Sequence, residues 1–112
     1  MAAGAKLDRA AIRAAFDAAV NMSASELESW LETDESGRVG WKKHGGESVG
    51  HASGRRIVSI LRARHGGLDD DDYRHMRRTV GFIRRHRAQE PANMVTSRWR
   101  YSLMNWGHDP LK

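Results

Sequence analysis

Apolar residues recur at helical spacing along most of the chain, and this spacing predicts a series of short helices. In the first, from Leu7 to Val20, Ile12 and Phe16 lie on one face among alanines, which favour helix. The second helix begins at Ser23, because Ser23 and Glu26 have the spacing of a capping box, in which each side chain accepts a hydrogen bond from the other residue's backbone N–H group.

The next two apolar stripes belong to this second helix and to a third. The stripe of the second helix comprises Leu27, Trp30 and Leu31. The third helix has apolar positions at Val49, Ala52, Ile57, Ile60 and Leu61. It is predicted to run to about Arg64 and to end at Gly66-Gly67 in a left-handed C-cap. Gly50 and Gly54 fall four residues apart on one face of it, where the missing side chains let another backbone approach.

A fourth helix is predicted to begin at Asp69–Asp72, whose carboxylates stabilise the positive end of the helix macrodipole. On a helical wheel, one stripe is apolar and comprises Tyr73, Met76, Val80 and Ile83. The neighbouring side is basic and comprises Arg74, Arg77, Arg78, Arg84 and Arg85. Phe82 falls outside the apolar stripe. One side of this helix is therefore expected to face the core and the other to carry guanidinium groups.

Two segments are less regular. Between Asp34 and Gly54, six glycines alternate with basic residues and Trp41, which predicts a basic, glycine-rich loop with helix from about Ser48 as an open alternative. The segment Val95 to Trp106 places Val95, Trp99, Leu103 and Trp106 on one helical face, yet residues 98–103 also alternate as a strand does. We predict helix, because no second strand signal exists to pair with it.

These patterns predict an all-α fold, a single small domain of four to five short helices with a glycine-rich basic loop. With 112 residues the chain suffices for one domain, residues 1–112, of which residues 1–6 are expected to be a frayed N-terminus. The first twenty residues contain five charged side chains, so neither a secretory leader nor a membrane span is predicted. We expect a cytoplasmic protein without contact to membranes.

The distribution of charge along the chain adds a prediction of function to this prediction of fold. Fifteen of the 19 basic residues are arginine, and the sequence pI is about 10.2. Residues 1–36 carry a net charge of −4, residues 37–68 of +6 and residues 69–112 of +3. An excess of arginine with a high pI is typical of proteins that bind nucleic acids.

The candidate binding residues follow from this distribution. Arginine suits phosphate because its planar fork donates two hydrogen bonds and stays charged. The predicted nucleic-acid site comprises Arg74, Arg77, Arg78, Arg84 and Arg85 of the fourth helix with Arg55, Arg56, Arg98, Arg100, Lys42 and Lys43. Trp41, in the glycine-rich loop, is predicted to stack on bases, whereas Trp30, Trp99 and Trp106 are predicted to be core residues. The expected partner is double-stranded DNA, contacted through phosphates with little base specificity by a nucleoid-associated or accessory factor.

Other chemistries find little support. Without cysteine the chain has no disulfide, no thiolate metal site and no cysteine nucleophile. Consecutive carboxylates at Asp69–Asp72 point in different directions, so capping is the preferred role over cation binding. The six histidines show no metal-ligand spacing, and Ser48, Ser53 and Ser59 lack the pattern of a catalytic serine. We predict no enzyme, no cofactor and no metal.

A second hypothesis is a protein-interaction module of the stress or toxin-regulation type. In this alternative the basic face and the Phe82 region bind an acidic protein partner or the acidic beginning of another copy in a homodimer. Salt separates the two hypotheses, because phosphate contacts weaken steeply with salt and an apolar interface does not.

Three stretches carry a resemblance to a known family. They are Trp30–Ser36 continuing to Val39–Lys42, Gly46–His51 continuing to Ser53–Val58, and Arg98–Lys112, and together with residues 72–86 they cover nearly the whole chain after residue 12. The chain resembles a small family of uncharacterised bacterial and fungal proteins classed as a domain of unknown function. Members are often labelled DNA-binding protein, and some lie beside a Tudor-like hypervirulence-associated domain. The resemblance implies DNA binding, and it implies that the glycines and tryptophans of these stretches define the fold.

Overall fold

The computed structural model describes residues 7–42, 45–63 and 66–112. Within these ranges six helices follow one another: α1 (Arg9–Ala19), α2 (Ala24–Leu31), α3 (Asp34–Arg38), α4 (Val49–Ala63), α5 (Asp70–Arg87) and α6 (Arg98–Asn105). No strand occurs in the same ranges, so the predicted all-α class is confirmed. Residues 1–6, Arg64 and His65 lie outside the described ranges, and with them the predicted frayed N-terminus and the predicted end of the third helix.

The helices pack as two pairs joined by α6. α1 packs along α5, α2 packs along α4, and α6 contacts α2, α3, α4 and α5. The side chains at the centre of this arrangement are fully buried and include Phe16, Leu27, Ile57, Met76 and Leu103. The apolar stripes predicted from helical spacing therefore meet in one core.

Side-chain caps fix where the helices begin. The capping box predicted at Ser23 is confirmed: its hydroxyl accepts from the Glu26 N–H group at 3.1 Å, and the Glu26 carboxylate accepts from the Ser23 N–H group at 2.8 Å. Asp69 and Asp72 form a second capping box at the start of α5. Capping is thus the observed role of these two carboxylates.

The structure corrects the predicted glycine-rich loop at its beginning. Residues Asp34–Arg38 form α3 rather than loop, and the described residues of this segment that lie outside helices are 39–42 and 45–48. The buried side chain of Asn105 stabilises α3, since its amide donates to the Ser36 carbonyl oxygen at 3.1 Å and its oxygen accepts from the Ser36 hydroxyl at 2.5 Å. These contacts join residues 69 positions apart, so local sequence does not reveal them.

Close helix packing depends on two glycines of α4. A Cβ atom at Gly54 would lie 2.5 Å from the Asn105 carbonyl oxygen and 2.7 Å from Leu31 Cδ2, and one at Gly50 would lie 3.1 Å from Trp106 Nε1. The predicted approach of another backbone to this face of the helix is confirmed.

The C-terminal segment confirms the choice of helix over strand, with one correction. Trp99, Leu103 and Trp106 are buried as predicted, but Val95 precedes α6 and is 53% exposed. After α6 the chain turns at Gly107, which has a φ of +85°. The Gly107 carbonyl oxygen accepts from the N–H groups of Asn21 and Met22 at 3.1 and 3.2 Å, which holds the turn against the α1–α2 connection.

Candidate nucleic-acid interface

α5 buries one side and exposes the other. Its buried residues are Tyr73, His75, Met76, Thr79, Val80 and Ile83. Because these side chains face the core, the arginines between them face solvent, and all of them are exposed. We name the four arginines Arg77, Arg78, Arg84 and Arg85 the arginine ridge.

Among the residues that the structure describes, the arginine ridge differs from most other arginines in having no carboxylate partner. Eight arginines form ion pairs, namely Arg9, Arg13, Arg38, Arg55, Arg56, Arg62, Arg74 and Arg100. Across the described ranges, no ion pair involves a residue of the ridge, Arg87 or Arg98. The ridge is therefore a concentration of positive charge that the fold leaves uncompensated.

Four arginines of the predicted site bind carboxylates of the same chain, and three of these are exposed. Arg55 binds Glu47 at 2.6 and 2.8 Å, Arg56 binds Asp72 at 3.1 Å and Arg74 binds Asp71 at 2.8 Å. The hydrogen bond from Arg55 lowers the pKa of Glu47 to about 2. A ligand phosphate would have to displace these carboxylates.

The remaining predicted basic residues lie in varied surroundings. Arg100 is half-buried, binds Asp109 at 3.1 Å and donates to the Val95 carbonyl oxygen at 2.8 Å. Arg98 is exposed and donates to the Arg38 carbonyl oxygen at 3.4 Å, a long hydrogen bond. Lys42 is exposed, and Lys43 lies outside the described residues.

The ridge separates two depressions of the surface. Arg77 and Arg84 border a depression of about 300 Å³ against α1, lined by Ala11, Ile12, Ala15, Val80 and Gly81. Arg78 and Arg85 border a cavity of about 390 Å³ on the other side, where α4, α5, α6 and Trp41 meet. In the sequence Gly81 lies between residues 77–78 and residues 84–85 of the ridge. A Cβ atom at Gly81 would lie 3.0 Å from Arg85 Nη1. The side chain of Arg85 therefore folds back across Gly81.

Sequence reasoning missed this cavity because it placed Phe82 outside the apolar stripe of α5. Phe82 is half-buried and stacks on Trp106, with ring centroids 4.5 Å apart, and on His86, with centroids 4.9 Å apart. The spacing of Phe82 and His86 by four residues is the signal that could have revealed the pair. Trp41 is 67% exposed at the cavity, as expected of the tryptophan singled out for stacking.

The charge of this region comes from arginine and not from histidine. Burial lowers the pKa of His86, and burial with the nearby cations Arg56 and Arg78 lowers the pKa of His75 to about 4. Both rings are therefore neutral at pH 7. In the parts of the chain that the structure describes, no three histidine or carboxylate side chains cluster as a metal site would require. None of the helices there has the length and apolarity needed to cross a membrane.

Comparison with known proteins yields a family and no function. No curated protein and no solved structure matches the chain. Residues 15–104 match the model of DUF3140, described as a protein of unknown function. This match covers most of the 112 residues and agrees with the resemblance to a domain of unknown function that the sequence shows. The chain therefore belongs to the DUF3140 family.

Proposed function

We propose that the protein binds double-stranded DNA through its phosphates, with the arginine ridge as the contact surface. The observation that carries the proposal is the contrast in ion pairing: the ridge is exposed and without carboxylate partners in the described residues, whereas eight other arginines are paired. Unpaired guanidinium groups on a rigid helix bind phosphate without first breaking an intramolecular ion pair.

The geometry of α5 suits a phosphate backbone. Its 18 residues span about 27 Å, and the ridge repeats at an interval of seven residues, or about 10.5 Å. At the start of the helix the exposed Asp70 and Asp71 bind Arg9 and Arg74, so this end of α5 offers no uncompensated positive charge to phosphate. Contact is therefore centred on the part of α5 that follows residue 76.

Base specificity is expected to be low. Base edges are read chiefly by bidentate side chains placed deep in the major groove, with asparagine, glutamine and arginine as the usual readers. The exposed side of α5 presents arginines around Gly81 and no amide side chain, so guanine is the one base that it is equipped to read, and most of its contacts are expected to go to phosphates. Such a surface suits an accessory or nucleoid-associated protein, and the DNA-binding label implied by the sequence resemblance points to the same class of partner.

The test replaces Arg77 and Arg84 with glutamine and measures affinity for a labelled duplex by fluorescence anisotropy. If each of four arginines binds one phosphate, the loss of two contacts weakens binding about 60-fold at about 0.1 M salt. The control replaces Arg38 and Lys112, which removes the same charge from residues that bind Asp34 and Glu26 instead. A loss of similar size in both variants would show that net charge, and not the ridge, accounts for binding.

A protein partner is the second candidate, favoured by the exposure of Trp41 and Val49 beside Arg78 and Arg85. An acidic protein would engage the ridge and place an apolar side chain in the cavity. A homodimer in which the acidic beginning of another copy meets the ridge is less favoured, because Glu28 already binds a cation of its own chain. Binding that survives high salt would support the protein partner over DNA.

A further inference from the structure

The cavity beside the ridge has aromatic walls. Phe82 and Trp106 stack against each other in its lining, and Trp41 and Val49, which are 67% and 44% exposed, also line it. No other described ring stacks on Trp41. At about 390 Å³ the cavity is at the small end of the range for small-ligand sites, a size that suits one flat ring system.

Two polar groups at the cavity are available to such a ring. Trp106 Nε1–H lies next to Gly50, where a Cβ atom would come within 3.1 Å of the indole nitrogen. Ser102 also lines the cavity and carries a hydroxyl group. Within the described residues neither group has a hydrogen-bond partner. An apolar cleft with a few convergent polar groups is typical of a site that binds and orients an aromatic ligand.

The charges of the residues that line the cavity indicate which class of ligand it prefers. Arg78 and Arg85 border the cavity, about 10.5 Å apart along α5, and no carboxylate is among the described residues that line it. The preferred ligand therefore combines a flat ring with negative charge. Both arginines also belong to the ridge, so the cavity is continuous with the surface that we assign to phosphates.

We infer that the cavity takes one unpaired base of a DNA strand, stacked on Trp41, while Arg78 and Arg85 bind the phosphates that flank this base. The inference rests on the proposed function, because the same ridge holds the rest of the duplex. It adds a preference that the ridge alone does not give: DNA with a bulged or extruded nucleotide binds more tightly than fully paired DNA. Base stacking on an aromatic side chain is tolerant of sequence, so all four bases are accepted.

The experiment compares three otherwise identical labelled duplexes: fully paired, with one bulged adenosine, and with one bulged abasic nucleotide. The two bulged duplexes share charge and backbone and differ only in the base. We expect the adenosine bulge to bind about 10-fold more tightly than the abasic bulge at about 0.1 M salt, and to quench tryptophan fluorescence. Trp41→Ala is expected to abolish this difference.

Because Trp41 is exposed, its removal tests binding without testing the core. Leu111→Ala removes another exposed apolar side chain and serves as the control. Equal affinity for the adenosine and abasic bulges would overturn the inference while the proposed function stands. A preference that persists in Trp41→Ala would also overturn it. Failure to bind any of the three duplexes would overturn the proposed function and the inference together.

Discussion

Two neighbouring helices carry exposed arginines, and the fold treats them in opposite ways. Each arginine of α4 has a carboxylate of its own: Arg55 with Glu47, Arg56 with Asp72 and Arg62 with Glu28. The arginine ridge of α5 has none among the described residues. A count of arginines in the sequence therefore overstates the charge available to a ligand, and what matters is where the acidic residues fold.

The contrast between α4 and α5 requires that core packing holds α5 in place. Substitution of Trp99 is expected to have the largest effect on this packing. Trp99 is 8% exposed, and its indole N–H group donates to the His86 carbonyl oxygen near the end of α5. Trp99→Ala is expected to lower the free energy of unfolding by about 3–5 kcal/mol, measured by chemical denaturation. The exposed control Val95→Ala should change it by less than about 0.5 kcal/mol. Normal stability with lost DNA affinity would make Trp99 a stacking residue instead of a core residue.

Substitutions at one glycine of α4 and one of α5 test whether the first helix is closely packed there and the second is open. Gly54→Ala places a Cβ atom 2.5 Å from a backbone oxygen of α6, so we expect a loss of about 1–3 kcal/mol in the free energy of unfolding. Gly81→Ala on the ridge meets only the mobile end of Arg85, and the better helix propensity of alanine should stabilise the protein by up to about 1 kcal/mol. Thermal melts of both variants provide the measurement. Equal destabilisation would mean that the ridge face of α5 is packed and not open.

The side of α5 that meets α4 is expected to make the protein sensitive to acid. His75 bonds to the Ser53 hydroxyl at 2.8 Å, and burial, then Arg56 and Arg78, lower its pKa to about 4, against the partial opposing effect of Asp72. In the unfolded chain His75 binds a proton near pH 6.5, whereas in the folded chain it stays neutral until the pH nears 4. The stabilisation is therefore full above pH 6.5 and falls as the pH drops toward 4.

Between pH 7 and pH 5, protonation of His75 in the unfolded chain is expected to lower the free energy of unfolding by about 2 kcal/mol. Burial also lowers the pKa of His86 and of His108, so both residues add to this loss of stability. Denaturation of the unmodified protein and of His75→Gln at both pH values isolates the share of His75, because glutamine can bond to Ser53 without titrating. The same pH dependence in both proteins would show that His75 is not the group responsible.

Local signals explain what the sequence could predict. The capping box at Ser23, the start of α5 at its run of aspartates and the apolar stripe of α5 depend on residues at most four apart, and the structure confirms them. The apolar spacing of Trp99, Leu103 and Trp106 likewise identified α6. Because helix formation is largely a matter of such short spacings, most of the fold was predictable.

The features that the sequence could not predict depend mainly on contacts between residues far apart in the chain. Arg62 and Glu28 are 34 positions apart, so this ion pair of α4 has no local signature. α3 does have one, because the Thr33 hydroxyl caps it by accepting from the Ser36 N–H group at 3.2 Å, but the glycines of this segment favoured a loop, and the contact of Ser36 with Asn105 spans 69 positions. The sequence analysis grouped Arg55, Arg56, Arg74 and Arg100 with the ridge, although each is held by a carboxylate of the chain. The cavity at Phe82 also requires four separate segments to meet.

The dependence of DNA affinity on salt tests the contrast between the two helices most directly. For the unmodified protein, four phosphate contacts predict a slope of about −3.6 in a plot of log K against log salt concentration. Replacement of Arg77 and Arg84 by glutamine should halve the slope to about −1.8, whereas the same change at Arg55 and Arg62 of α4 should leave it near its original value. A slope near zero for the unmodified protein, or equal flattening by both pairs of substitutions, would contradict the account.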